Sequence, residues 1–300
     1  MKPTRKYLSM LLGFMPLMAL LNACPQAVAQ VNNSNPSYAK THEYGRIEWH
    51  GDTARLIAGG SRPLHMAALT LSSCLGIAIN AEEPHYLWIG DLLDVTAPQW
   101  SAKHPDRHVY AAKPGRVSVS FKTDDDGLPV NTVKLLEDAV EQVNQQQPWH
   151  FRLQHDVRQG QSFFTFVPTA THNESGQLVQ IKSWLDERMT IRPTTAQIMA
   201  ISNTLAESLS TKTGYQFSCC DLGMEGLWGW KTIHFEAADQ TARLIFEDLI
   251  IADPHGGSYL LVCEPMDKRS CFIGVESTEH RVPRTAPQSG VCAASGRDPD

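Results

Sequence analysis

The order in which hydrophobic patterns follow one another constrains the fold of this chain more than any single motif. Arg46-Ile47-Glu48-Trp49 reads as a short strand. Leu64, Ala67, Ala68, Leu71 and Leu75 then recur at the spacing of one helix face. Ser61 stands where an N-cap belongs, and Pro63 lies in the first turn, where a missing N–H costs nothing. Gly76 ends the helix as a left-handed cap. Ile77-Ala78-Ile79 follows as a strand, and Tyr86-Leu87-Trp88-Ile89 as a further short one. Val117-Ser118-Val119-Ser120-Phe121 alternates with period two, so one of its faces is buried. A helix from about Pro129 carries Val133, Leu136, Val140 and Val143 on one side. Phe151-Arg152-Leu153 and Phe163-Phe164-Thr165-Phe166-Val167 read as a hairpin across Arg158-Gln159-Gly160-Gln161.

The same order returns in the second half. Met189-Thr190-Ile191 is a strand, and Pro193-Thr194-Thr195 opens a helix carrying Ile198, Ile201, Leu205 and Leu209. Gly214 ends that helix before the strand Tyr215-Gln216-Phe217. Thr232-Ile233-His234-Phe235-Glu236 alternates, and Asp239 caps a helix with Ala242, Leu244, Ile245, Leu249 and Ile250. Tyr259-Leu260-Leu261-Val262 and Phe272-Ile273-Gly274-Val275 close as a hairpin. The expected fold is therefore α+β: two related βαββαββ-type units, each with two helices packed on a small mixed sheet, leaving the opposite sheet face or an edge available. The alternative is one larger α+β domain without internal symmetry. The expected division is a leader at 1–29, a disordered linker at 30–45, a first unit at 46–170 and a linker at 171–184 around Ser175-Gly176-Gln177. A second unit at 185–280 and a disordered tail at 281–300 complete it.

The leader reads as an export signal. Lys2, Arg5 and Lys6 precede the apolar run Leu8 to Leu21, and Ala27-Val28-Ala29 supplies a small-x-small cleavage site between Ala29 and Gln30. A competing reading takes Leu21-Asn22-Ala23-Cys24 as a lipobox with Cys24 acylated, although Asn22 fits that pattern poorly. Seven cysteines become six without Cys24. Either way the protein is expected to be exported, periplasmic or extracellular, where thiols can oxidise. The formal net charge of -6 and the absence of a basic run argue against a nucleic-acid partner. After the leader no apolar stretch is long enough to cross a membrane as a helix.

A resemblance enters with Ser61-Arg62-Pro63-Leu64-His65-Met66-Ala67-Ala68-Leu69 and Leu75-Gly76-Ile77-Ala78-Ile79. This run resembles the short N-terminal domain of secretins and TonB-dependent receptors (STN-like), where a strand leads to a Pro-Leu-x-x-Ala-Leu helix, then Gly and a hydrophobic strand. Ala81-Glu82-Glu83-Pro84-His85-Tyr86 and Asp91-Leu92-Leu93-Asp94-Val95-Thr96 resemble a group of uncharacterised exported bacterial proteins. The turn Ala81-Glu82-Glu83-Pro84 departs slightly from the Tyr-Glu-Asp-Pro of that group. The resemblance implies a periplasmic docking or signalling module without catalytic residues. No β-barrel or secretin-ring segment follows the short domain here.

Local motifs add less. His104-Pro105-Asp106-Arg107-His108 holds two histidines four apart, but Pro105 argues for a solvated loop and against a metal site. Asp124-Asp125-Asp126-Gly127 begins like a calcium loop and then lacks the later ligands. Glu82-Glu83 could serve as an acid–base pair but reads more simply as a surface turn. No Gly-x-Ser-x-Gly elbow, Walker loop or dinucleotide fingerprint occurs, so no catalytic, metal or cofactor residue is assigned. Cys263 and Cys271 flank a turn between two strands, and a disulfide is expected to close it. A disulfide between the adjacent Cys219 and Cys220 would be strained, so one of them is expected to pair elsewhere or stay buried; Cys74, near a helix end, is expected to be buried, and Cys292 sits in the loose tail. Trp228 and Trp230 beside Gly229 could form an exposed ligand platform; the competing reading folds them over the core. The leading expectation is a non-catalytic binding or docking module for an envelope or periplasmic protein. The alternatives are an exported hydrolase using Glu82, Glu83 or His104, and a small-ligand or carbohydrate binder using Trp228 and Trp230.

Overall fold

The computed structural model of the chain describes residues 43–219, 229–253, 257–265, 269–276 and 289–293. Cys24, Ala29, Gln30, Cys220 and Trp228 lie outside the described residues.

Two antiparallel strands, β1 (Tyr44–His50) and β2 (Thr53–Gly60), begin the described chain. The first helix, α1 (Pro63–Leu75), starts at Pro63 and ends at Gly76, whose φ of 69° and N–H to the Ser72 carbonyl form the left-handed cap. Its N-cap is Arg62 and not Ser61, because the Ser61 hydroxyl is turned away to donate to Glu43. Next come β3 (Ile79–Glu82), β4 (Leu92–Asp94), the short α2 (Pro98–Lys103) and β5 (Tyr110–Ala112). Tyr86 to Trp88 form no strand; Ile89–Asp91 is a single 3-10 turn. The alternating strand β6 (Gly115–Lys122) leads to α3 (Thr132–Gln146). That helix begins after Pro129, which bridges back to Thr123, and Asn131 Oδ1 caps it by accepting from the Lys134 N–H. In β7 (His150–Arg158) and β8 (Gln161–His172) the expected hairpin forms. Gln159 and Gly160 both take positive φ (49° and 82°), as a two-residue turn matched to strand twist requires.

After β9 (Leu178–Gln180) and a 3-10 turn at Trp184–Asp186, β10 (Arg188–Gln197) continues through Pro193. The register slips between Met189 and Ile191 and again between Ile191 and Thr194, and a strand tolerates proline at such irregularities. Pro193 therefore does not open the next helix. That helix, α4 (Ile198–Thr213), starts where carbonyls of Lys231 and Gly229 accept the N–H groups of Ile198 and Met199. Gly214 ends it with φ 74°. The remaining elements are β11 (Gln216–Cys219), β12 (Thr232–Thr241), α5 (Ala242–Ala252), β13 (Ser258–Cys263), β14 (Ser270–Glu276) and β15 (Ser289–Ala293). Thr241, not Asp239, caps α5; Asp239 sits in β12 and pairs with Arg188.

The result is mixed α+β, with five α-helices among the described residues. One sheet runs β15-β1-β2-β6, and β10 pairs with β12. Strands from both halves meet in a seven-stranded sheet ordered β11-β14-β13-β3-β8-β7, with β9 added along β8. Within it β3 is parallel to both β8 and β13, and β11 is parallel to β14, whereas β7–β8 and β13–β14 are antiparallel. Successive residues of a strand face opposite sides. Accordingly Leu260 and Phe166 join one core with Leu71 and Leu136, while Leu261 and Phe163 join another with Leu205 and Ile245. Helices thus cover both faces of the central strands, and the sheet face expected to stay open is closed. This also explains why β13 is an unbroken apolar run instead of an alternating one.

The segment expected to be a disordered tail contains β15, which extends β1, and Cys292 within it is bonded to Cys74 at the end of α1. The pair Cys263–Cys271 is also a disulfide, across directly facing residues of β13 and β14.

Candidate binding cleft

The central strand β3 ends in two glutamates, and the sheet dictates where each one goes. Neither lies on a surface turn: Glu82 is 1% exposed and Glu83 5%. Adjacent residues of an extended chain point apart, so the two carboxylates do not form an acid–base pair. Glu82 faces α5, where Arg243 donates to its two oxygens at 2.7 and 3.0 Å. The Tyr259 hydroxyl adds a bond at 2.8 Å, and Ser183 donates to the same carboxylate. Arg243 also reaches Asp186 at 2.5 Å and Gln154 at 3.2 Å. Glu83 turns toward the start of α1, accepting from Arg62 Nε at 2.5 Å and from the Cys263 N–H at 3.0 Å. Burial raises the pKa of Glu83, and Arg62 opposes that shift.

Beyond Glu83 the chain leaves the sheet at the carboxyl end of β3, beside the carboxyl end of its parallel neighbour β8. Crevices outside such strand ends are where open sheets with parallel strands bind ligands. Here the crevice is a cleft of about 270 Å³. His85, Leu87, Pro168, Thr171, Trp184 and Tyr215 line it. The segment expected to be a linker supplies part of its wall, Ile181 to Trp184. Trp184 packs on Tyr215 with ring centroids 4.5 Å apart, and His85 meets Tyr215 edge-on at 4.7 Å.

His85 is the chemically unresolved residue of this wall. It is 5% exposed, its Nδ1 lies 3.4 Å from the Tyr215 hydroxyl, and its Nε2 is buried with no hydrogen-bond partner. Burial, with the charge of Arg269, pushes its pKa down to about 4, so the ring is neutral at physiological pH. Next to the cleft, His172 Nδ1 lies 2.9 Å from buried Asp91, and the Trp88 ring packs edge-on against His172. Gly176 is held close to that indole, since a Cβ there would lie 2.7 Å from it.

The residues singled out from the sequence are dispersed. His104 packs against Trp100 at the end of α2, with the rings tilted, and His108 is bonded to Asp94 at 2.7 Å. Among the described residues no group of His, Cys, Asp and Glu could hold a metal ion. Asp124 Oδ1 accepts from the N–H groups of Asp126 and Leu128, closing its own turn. Trp230 is 66% exposed. The cleft itself was not foreseen. The one sequence signal for it was a pair of glutamates and a histidine directly after an apolar strand, a place where charge needs buried partners. No family model matches the chain, and neither a curated protein nor a solved structure is significantly similar to it.

Proposed function

We propose that this chain is an exported, non-catalytic binding protein whose ligand site is the cleft beside β3 and β8. The observation that carries this reading is His85: a side chain with a buried, unpartnered ring nitrogen in the wall of an aromatic-lined cleft. A buried polar atom left unpaired costs about 1–3 kcal/mol, a cost that a ligand in the cleft relieves where the ring turns this nitrogen toward it. The disulfides Cys74–Cys292 and Cys263–Cys271 are compatible with export, and among the described residues no helix is long and apolar enough to cross a membrane. Signal cleavage after Ala29, or acylation of Cys24 as the alternative, belongs to the same reading.

The proposal includes a twofold origin from a βαββαββ unit and kinship with the STN-like short domain. Its support is the correspondence of pairings. β2 and β6 are antiparallel, as are β10 and β12; β3 and β8 are parallel, as are β11 and β14; each half closes with an antiparallel hairpin. Native mass spectrometry of protein recovered from the periplasm tests the function. A small bound species should accompany the wild type and be lost from Trp184→Ala. Retention of that species in the variant would contradict the reading.

Docking to an envelope protein is the second reading. It is favoured by the outer strands β7 and β11, which end the seven-stranded sheet and offer edges for strand addition. Proline substitution of Val157 on β7 should then abolish co-purification of the partner, and an unchanged yield would count against it.

A further inference from the structure

Resting on the reading of the cleft as a binding site, we infer that its ligand is a small aromatic acid, one or two fused rings bearing a carboxylate. The inference follows from which polar groups around the cleft are already satisfied. Both oxygens of Glu83 are engaged, by Arg62 and the Cys263 N–H. Ser183 is bonded to Glu82 and accepts from the Leu185 N–H, and the Thr171 hydroxyl donates to the His85 carbonyl at 3.4 Å. What is left is His85 Nε2 and the Trp184 indole N–H, with the exposed Lys182 ammonium at the rim, where it donates to Glu187 at 3.4 Å. His85 is assigned the tautomer in which Nδ1 accepts from the Tyr215 phenol 3.4 Å away, so that Nε2 carries the proton of a neutral imidazole and is a donor. Two N–H donors and few acceptors call for a ligand with acceptor oxygens.

The apolar surfaces narrow the class further. Trp184 and Tyr215 line the cleft and pack on each other at 4.5 Å, and the Arg269 guanidinium lies 5.9 Å from the Tyr215 centroid. Glu83 is paired with Arg62, and Glu187 is shared by Lys182 and Lys212, so these two lysines and Arg269 outweigh Glu187 and favour a negative ligand. A sugar presents several hydroxyls, most of which would go unpaired here. A volume of about 270 Å³ sits at the small end of ligand pockets, which suits one or two rings better than a lipid or oligosaccharide.

Isothermal titration of the full chain, disulfides intact, with indole-3-acetate and 4-hydroxybenzoate tests the inference, with tryptamine and glucose as counter-probes. The acids should bind saturably. His85→Phe should weaken them about 10-fold through loss of the buried donor. Lys182→Glu, an exposed change that leaves the fold intact, should weaken them about 3-fold. Trp184→Phe preserves a ring face, so it serves as a second cleft probe should His85→Phe not fold, and it should weaken indole-3-acetate measurably. Absence of binding by both acids overturns the ligand class. Binding of tryptamine or glucose that depends on His85 and Trp184 overturns the class and leaves the site standing. Acids that bind every variant at wild-type strength bind elsewhere, which overturns both the class and the site.

Discussion

Glu247 makes the stability of this protein depend on pH in a direction opposite to that of most carboxylates. It lies on α5, one turn after Arg243, is 0% exposed, and neither of its oxygens has a hydrogen-bond partner. Burial pushes its pKa up to about 8, with Asp156 adding to the shift and Arg243 and Arg158 opposing it. The folded protein therefore holds this proton more tightly than the unfolded chain, whose carboxyl titrates near 4.5. The stability linked to the proton is fully present below that value and is lost as pH rises toward about 8. Each pH unit between the two values removes about 1.4 kcal/mol. At pH 7 the loss is about 3 kcal/mol, a large share of the roughly 5–15 kcal/mol that holds a domain folded. Glu247→Gln keeps the shape and abolishes the titration. Urea denaturation of both proteins at pH 5, 6, 7 and 8 reads the effect, and groups unaffected by the substitution cancel in the difference. The variant should gain about 3 kcal/mol on the wild type between pH 5 and pH 8. Parallel stability curves for the two proteins would refute the reasoning, because they would mean that Glu247 is solvated or paired when folded.

Three further outcomes follow from the same geometry. Cys292→Ser opens the disulfide to Cys74, which spans 218 residues, and should lower stability by up to about 5 kcal/mol on the loop-entropy account; Cys263→Ser, across 8 residues, should cost about 2–3 kcal/mol. Non-reducing urea denaturation of the two variants gives that ranking, and a reversed order would count against β15 as an anchored strand. Arg243→Met strands the Glu82 carboxylate in the core and should cost about 3–5 kcal/mol, whereas Arg243→Met with Glu82→Leu should recover most of the loss in a double-mutant cycle. Gly176→Ala places a Cβ against the Trp88 indole at a φ of 77° and should destabilise the β8–β9 turn, visible as a changed tryptophan emission and a lower Tm.

Signals carried within a few residues were legible in the sequence. Pro63 and Gly76 bracket α1, Gly214 ends α4, and Gln159-Gly160 makes the β7–β8 turn, because each depends on local backbone preference. Where the deciding partner is distant, the same logic misleads. Pro193-Thr194-Thr195 has the composition of a helix start, yet the N–H groups at the real start are satisfied by carbonyls some thirty residues later in the chain. The tail has little to bury, but Cys292 and the edge of β1 hold β15 in place. Glu82 and Glu83 look like a polar turn until Arg243 and Arg62 are brought to them across 161 and 21 residues.

The cleft belongs to this second kind of feature, and the reason is topological. His85 follows β3 in the first half, Tyr215 precedes β11 in the second, and Trp184 comes from the segment between them. The parallel pairing of β13 with β3 joins the two halves into one sheet, and the Arg243–Glu82 ion pair links α5 to the end of β3. Neither half alone supplies all of these lining residues. If the halves arose by duplication, neither copy inherited the site; it came into being where they were joined. Residues at the join should accordingly control ligand affinity and stability together, since Ser183, in the cleft wall, also bonds the buried Glu82.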